Sequence, residues 1–136
     1  MSDVQFSVPF VRGKARARFS RSGHTYTPTD TENAMGAIQL AYRAAAGSKC
    51  APEGRPVTVF ITTIRALPKS RKKSIQEEHD IFKPDADNIA KLVLDALNGV
   101  AWADDRQVTT LSVSKGMRRR GLSDETCVHV MWGDGE

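Results

Sequence analysis

A strongly amphipathic stretch in the second half of the chain limits the possible folds more than any other feature. Its apolar residues recur at i, i+3, i+4, i+7 and i+8, and they are Ile89, Leu92, Val93, Ala96 and Leu97. This spacing puts them all on one face of a helix, which must pack against a hydrophobic core. Asp87 marks the expected start, and Asn98-Gly99 suits a left-handed stop. The stretch therefore predicts a core-packed helix over residues 87–97.

Alternation of apolar and polar residues predicts the strands that this helix would cover. The pattern occurs over residues 4–8, 57–61, 111–113 and 128–132, and a basic-and-small alternation runs from 12 to 19. Residues 29–32 have capping-box spacing, and the alanine-rich run after them predicts a helix to about Ala46. Together these elements predict an α+β fold in which two main helices cover one mixed sheet.

The composition fits a single domain over residues 1–136. Hydrophobic residues make up 40% and charged residues 26% of the chain, so a disordered protein is not expected. Cys50 and Cys127 lack zinc-ligand spacing and provide no disulfide framework. No apolar run has membrane-spanning length, and the residues after Met1 lack the basic-then-apolar pattern of a secretory signal. We therefore expect a cytoplasmic protein with no membrane partner.

Two acidic motifs flank the predicted helix and carry the main functional signal. The first, KPDADN, occupies residues 83–88, and the second, ADDR, occupies residues 103–106. Proline suits a helix entrance, so Asp85 would precede the helix and Asp87 would open it. Both carboxylates could then lean towards one cation.

The chain is long enough to return Asp105 to the other two carboxylates. A helix over 87–97 carries the chain about 16 Å away, and an extended stretch from Gly99 to Asp105 recovers as much as about 23 Å. Clustered carboxylates repel one another unless a cation lies among them. Hard oxygen ligands favour Mg²⁺ or Mn²⁺, which lower the pKa of a bound water and stabilise charge during phosphodiester hydrolysis.

A structural explanation of the same motifs stays open on spacing alone. Asp85 and Asp87 could simply cap the helix. Asp104 and Asp105 could mark a solvated turn. Lys91 has acidic residues one turn away on either side, so it could belong to a chain of surface ion pairs.

Basic residues cluster in three places and favour contact with nucleic acid. The net charge of +4 by itself indicates an acidic partner only weakly. In an extended segment alternate residues share one face, which would form a track for backbone phosphates. The candidate DNA-binding residues are Arg12, Lys14, Arg16 and Arg18 in one group and Lys69, Arg71, Lys72 and Lys73 in another, with a third basic run at 118–120. Solubility alone is the alternative for any one group.

Residues 83–108 resemble the signature of the RusA family of Holliday-junction resolvases. That signature has a KPDxDN helix start, a lysine one turn later, a DALNG segment and a DD-x-Q motif at a strand entrance. This chain has KPDADN, Lys91, DALNG and DDRQ in the same order. Residues 13–19 and 26–28 are similar to the less well defined N-terminal part of phage and prophage members.

The resemblance implies a RusA-like domain with a metal-dependent active site. Asp85, Asp87 and Asp105 would be the metal-binding catalytic carboxylates, and Lys91 would be a catalytic-site lysine. Mg²⁺ would be the cofactor, with Mn²⁺ able to substitute, and four-way DNA junctions the substrate. Family members are similar in being homodimers. A symmetric pair is also expected because resolving a junction takes two cuts, whereas each chain has one carboxylate set.

We therefore expect a crossover junction endodeoxyribonuclease that resolves Holliday junctions and related branched DNA in recombination and repair. One alternative is a metal-dependent nuclease specific for flaps or single strands. Another is a basic DNA-binding protein without catalysis. Asp104 and His79 have no assigned role at this point.

Overall fold

The elements of secondary structure come from a computed structural model that describes residues 1–15, 18–26 and 28–134. The helices are α1 (Thr29–Ala46) and α2 (Ala86–Leu97), and a 3-10 turn covers Asp105–Gln107. The strands are β1 (Ser2–Val8), β2 (Arg18–Phe19), β3 (Thr25–Tyr26), β4 (Val57–Ile64), β5 (Glu77–Glu78), β6 (Val108–Lys115), β7 (Arg118–Arg119) and β8 (Glu125–Trp132). Among the described helices, none combines the length and the apolar character needed to cross a membrane.

Strands β1, β8, β4 and β6 form the main sheet in that order, while β2 pairs with β3 and β5 with β7. β8 is antiparallel to both of its neighbours, β1 and β4. β4 and β6 are parallel, so the chain between them must cross over, and α2 lies in that crossover. The two parallel strands end side by side, with Thr63 opposite Lys115.

One face of the sheet is buried under the helices. Along β4, Val57, Val59 and Ile61 are buried, whereas Phe60 and Thr62 on the opposite face are exposed. The apolar residues that predicted α2 are all buried in this same core. The predicted α+β fold, with a mixed sheet covered by two main helices, is therefore confirmed.

The start of α1 differs from the sequence expectation. The helix begins at Thr29 with Pro28 as its cap, and no side chain caps it. The backbone amides of Thr31 and Glu32 donate to the Pro28 carbonyl at 3.0 and 3.2 Å. The predicted capping box at 29–32 is wrong because Thr29 already lies inside the helix.

Within the basic-and-small alternation at 12–19, residues 18 and 19 form strand β2. Residues 12–15 have no regular secondary structure, and β2 begins at Arg18. Residues 16 and 17 lie outside the described part of the chain. That the basic residues of this segment share one face stays a prediction.

Candidate active site

The first two candidate carboxylates lie at the start of α2. Asp85 is the N-cap residue in an extended conformation, and its side chain makes no capping hydrogen bond. α2 begins at Ala86, so Asp87 lies in the first turn rather than at the helix start. Both acidic residues are exposed. Because the Asp85 carboxylate is not used as a cap, it is available to bind a ligand.

Lys91 lies one turn after Asp87 and is also exposed. In the described part of the chain it forms no ion pair, and Asp95, one turn further on, pairs with Lys14 instead. The run of ion pairs considered as a structural explanation is therefore not formed among the described residues. Lys91 and Asp87 are left on the same exposed side of the helix.

Gln107 organises the loop that carries the second acidic motif. Its Oε1 accepts hydrogen bonds from the amides of Ala103 and Asp104 at 2.9 and 3.1 Å. Its Nε2 donates to the carbonyls of Pro52 and Arg55 at 2.9 and 3.0 Å. These four bonds use the full capacity of a buried glutamine side chain. Sequence reasoning missed this role, although the glutamine of the DD-x-Q motif was the available signal.

Asp104 has a structural role in the same loop. Its carboxylate caps the 3-10 turn by accepting from the amide of Arg106 at 3.0 Å, and with Gln107 it forms a reciprocal capping box. The turn interpretation is therefore correct for Asp104.

Asp105 is in a different environment from its neighbour. Its side chain accepts a hydrogen bond from Nε1 of the buried Trp102 at 2.8 Å. Burial raises the pKa of Asp105, and the negative charges of Asp95 and Asp104 add to that rise, while the Trp102 hydrogen bond opposes it. A cation close to Asp105 would favour its ionised form.

The structure does not bring the three candidate carboxylates together. Within residues 1–15, 18–26 and 28–134, no three acidic, histidine or cysteine side chains form a group that could hold a metal ion. The return path is not extended, because Gly99 donates to the Trp102 carbonyl at 2.8 Å and Ala101 to the Leu97 carbonyl at 2.9 Å. The residue of α2 whose charge raises the pKa of Asp105 is Asp95. Asp95 lies eight residues beyond Asp87, or about 12 Å along the helix axis.

The donor chemistry at the start of α2 still fits a hard divalent cation. Mg²⁺ is usually bound through one or two carboxylates, and waters and substrate phosphates complete its coordination. Asp85 and Asp87 supply such a pair, and the helix N-terminus favours negative charge beside it. The assignment of Asp85, Asp87, Lys91 and Asp105 as site residues stays a prediction.

A cavity of about 670 Å³ opens beside Asp85. One wall is the 12–15 segment, which lies against the start of α2, with the Lys14 amide donating to the Asn88 carbonyl at 3.1 Å. A Cβ atom on Gly13 would lie 2.9 Å from the Cβ of Asn88 and 3.0 Å from that of Pro84. Glycine therefore permits this close approach, a role that the sequence did not reveal.

The first group of candidate DNA-binding residues is only partly placed. Arg12 is exposed and lines the cavity. Lys14 is half-buried, and its ammonium pairs with Asp95. Arg16 lies outside the described residues, and so does the side chain of Arg18.

The second group lies on a loop whose backbone is held by an arginine from a later part of the chain. Lys69, Lys72 and Lys73 are exposed. Arg71 is bound to Glu78, with 2.7 Å between Nε and Oε1. Arg120 holds the loop backbone through hydrogen bonds to the carbonyls of Lys72 and Ile75, at 2.8 and 2.9 Å. This loop therefore presents three lysines to solvent from a defined backbone.

The comparisons with known proteins agree with the motif. The family model described as Endodeoxyribonuclease RusA matches residues 9–130, which include both acidic motifs and Lys91. The chain is also 33% identical over 145 residues to Uncharacterized protein YqaN of Bacillus subtilis (strain 168). That alignment covers 96% of each protein. The resemblance recognised at residues 83–108 is confirmed.

Proposed function

Because the chain belongs to the RusA family of endodeoxyribonucleases, we propose that it resolves Holliday junctions and related branched DNA by metal-dependent phosphodiester hydrolysis. Its expected setting is DNA recombination and repair, as a phage or prophage protein. The observation that carries the proposal is the family match over residues 9–130 together with the exposed, uncapped carboxylate of Asp85.

We infer the following roles for the site residues. Asp85 and Asp87 would hold Mg²⁺, or Mn²⁺ in its place, and Asp105, which does not group with them in this structure, would have to approach the ion to act as the third carboxylate. When bound, the ion would supply an activated water and would stabilise negative charge on the phosphate oxygens. The exposed ammonium of Lys91 would stabilise further charge on the phosphate. The cavity wall at Arg12 and the 69–73 loop would hold the DNA backbone.

We further propose that two copies act as a symmetric homodimer. Each chain carries one set of these carboxylates, and two cuts in opposing strands are needed to separate a four-way junction. A closed two-fold pair places identical sites on opposite sides of the crossover.

The decisive experiment compares labelled four-way junction, flap and linear duplex DNA with and without Mg²⁺. The proposal expects paired cuts in the junction that stop in chelator and return with Mg²⁺ or Mn²⁺. Preferential flap cleavage would favour a nuclease of other specificity, and binding without cleavage would favour a DNA-binding protein.

Single substitutions test the residue assignments. Asp85→Asn, Asp87→Asn, Asp105→Asn and Lys91→Ala should each lower junction cleavage by about two orders of magnitude or more, by analogy with the loss of other charge-stabilising groups. Asp30→Asn is the matched control, since Asp30 lines the same cavity but lies outside the acidic motifs. Wild-type cleavage by any of the four variants would remove that residue from the site.

A further inference from the structure

Two apolar side chains stand in solvent shortly before the candidate carboxylates. Ile81 is 83% exposed and Phe82 is 38% exposed. A single exposed apolar residue is common on protein surfaces and needs no explanation. The loop over residues 79–84, here called the 79–84 loop, differs because its backbone is firmly anchored where Ile81 projects.

The anchor is the buried carboxylate of Asp80. Its side chain is 0% exposed, and its Oδ1 lies 3.3 Å from Nη1 of Arg65 and 3.9 Å from Nζ of Lys115. Arg65 follows the end of β4 and Lys115 ends β6, so both cations come from the same edge of the main sheet. Moving the loop away would leave these buried charges unpaired, which is costly. The ion pairs therefore resist displacement of the loop.

The same two cations also hold the backbone after Ile81. Nη1 of Arg65 donates to the carbonyl of Lys83 at 2.9 Å, and Nζ of Lys115 donates to the carbonyl of Phe82. These loop carbonyls are paired by side chains rather than by a neighbouring strand. Ile81 is therefore held at a fixed point, with anchored residues on both sides.

Two arginines lie against the ring of Phe82, the residue that follows Ile81. The Phe82 ring centroid lies 4.4 Å from the guanidinium carbon of Arg118 and 5.7 Å from that of Arg71. Arg118 is buried and Arg71 pairs with Glu78, so phosphate contacts would come from the exposed Lys83 and from the exposed lysines of the neighbouring 69–73 loop. An apolar side chain flanked by cations is the combination used by proteins that insert a wedge between base steps while binding phosphates.

Ile81 also lies close enough to Asp85 for both residues to contact the same stretch of DNA. Three residues lie between Ile81 and Asp85, so their Cα atoms are four residue steps, or at most about 14 Å, apart. At about 3.4 Å per base step along one strand, this is within about four steps of the phosphate that Asp85 would address.

We propose that Ile81 inserts between base pairs at the branch point of DNA and thereby contributes to selection of branched over linear substrates. The inference rests on the proposed nuclease function. In an open junction the arms are not stacked on one another across the branch point, so insertion there avoids part of the cost of a few kcal/mol for unstacking an intact step. In linear duplex that cost would have to be met in full.

The test compares Ile81→Ser with Leu40→Ser, since Leu40 is another aliphatic residue that is 69% exposed, on α1. Affinities for four-way junction and linear duplex are measured by anisotropy in chelator, so that the DNA stays intact. Fluorescence of 2-aminopurine placed at the branch point reports unstacking. Ile81→Ser should lose about tenfold in junction affinity with duplex affinity unchanged, and it should lose the fluorescence increase. Ile81→Phe should retain both, and Leu40→Ser should match the unmodified protein.

The outcomes separate this inference from the proposed function. If the unmodified protein neither prefers nor cuts the junction, the nuclease proposal fails first. If it does both and Ile81→Ser behaves identically, the wedge is refuted while the nuclease proposal stands. A lower sedimentation coefficient for Ile81→Ser would place the residue in contact with a second copy and would also overturn the wedge. Unfolding in urea should be unchanged, because the side chain is mostly exposed.

Discussion

Replacing Gln107 with glutamate tests whether this residue holds the acidic loop in place. Gln107→Glu keeps the size of the side chain and the acceptor that binds the amides of Ala103 and Asp104. It removes the two donated bonds and sets a carboxylate against the carbonyls of Pro52 and Arg55. The substitution therefore isolates the half of the network that connects the loop to the chain before β4.

The expected loss in the free energy of unfolding is about 3 kcal/mol. A net hydrogen bond contributes about 0.5–1.5 kcal/mol, and a buried acceptor left unpaired costs about 1–3 kcal/mol. Two carbonyl groups are affected here. Urea unfolding at pH 8, well above the usual pKa of a glutamate, measures the change, and the slope against denaturant must stay constant for the comparison to hold.

Gln76→Glu is the matched control. Gln76 is exposed, and its Nε2 makes one hydrogen bond, to the Lys73 carbonyl at 3.0 Å. This variant should lie within about 0.5 kcal/mol of the unmodified protein. If Gln107→Glu were equally stable, the four-bond network would not be what fixes the loop at Asp104 and Asp105.

Two further predictions concern stability. Gly13→Ala should destabilise the protein by about 1–3 kcal/mol, because the added Cβ would lie 2.9 Å from that of Asn88. Gly36→Ala in α1 is the control, because its added Cβ meets open space, and it should stabilise the protein by about 0.5–1 kcal/mol. If urea unfolding showed that both substitutions change the free energy of unfolding in the same direction, the packing argument would be refuted. Burial, with a smaller contribution from the charge of Cys50, raises the pKa of Tyr42 to about 12. In the unfolded chain this tyrosine ionises at about pH 10. The free energy of unfolding should therefore be constant around neutral pH and fall between pH 10 and 12 by up to about 3 kcal/mol. Tyr42→Phe should lack this part of the alkaline loss, and equal losses in both proteins would contradict the assignment.

The elements that could be predicted from the sequence are those with local patterns. The spacing of Ile89, Leu92 and Val93 identifies α2 because a helical period brings these residues to one face without any distant partner. The alternation at 57–61 identifies a strand with one buried face, because alternate residues of a strand point to the same side without any distant partner. Spacing alone left Asp85, Asp87 and Asp105 open between metal ligands and cap or turn residues, and the family motif favoured metal ligands.

The arrangement of the site could not be predicted, because it depends on distant partners. The spacing argument needs an extended return from Gly99, but the Gly99 amide donates to the Trp102 carbonyl and shortens the path. Gln107 binds carbonyls more than fifty residues earlier in the chain. Asp80 is held by Arg65, which follows β4, and by Lys115, which ends β6, and these two cations meet only when the parallel pair is complete. In each case the decisive bond joins residues whose proximity exists only in the folded protein.

The position of β8 bears on when the site can form during synthesis. β8 follows every other described element along the chain, yet it is the strand that joins β1 to β4. Until it leaves the ribosome, β1 has no partner in the main sheet, and the face on which the helices pack is incomplete. A partly made chain therefore offers no finished platform for Asp85 and Asp87. The order of the strands thus delays assembly of the candidate site until almost the whole described chain is available.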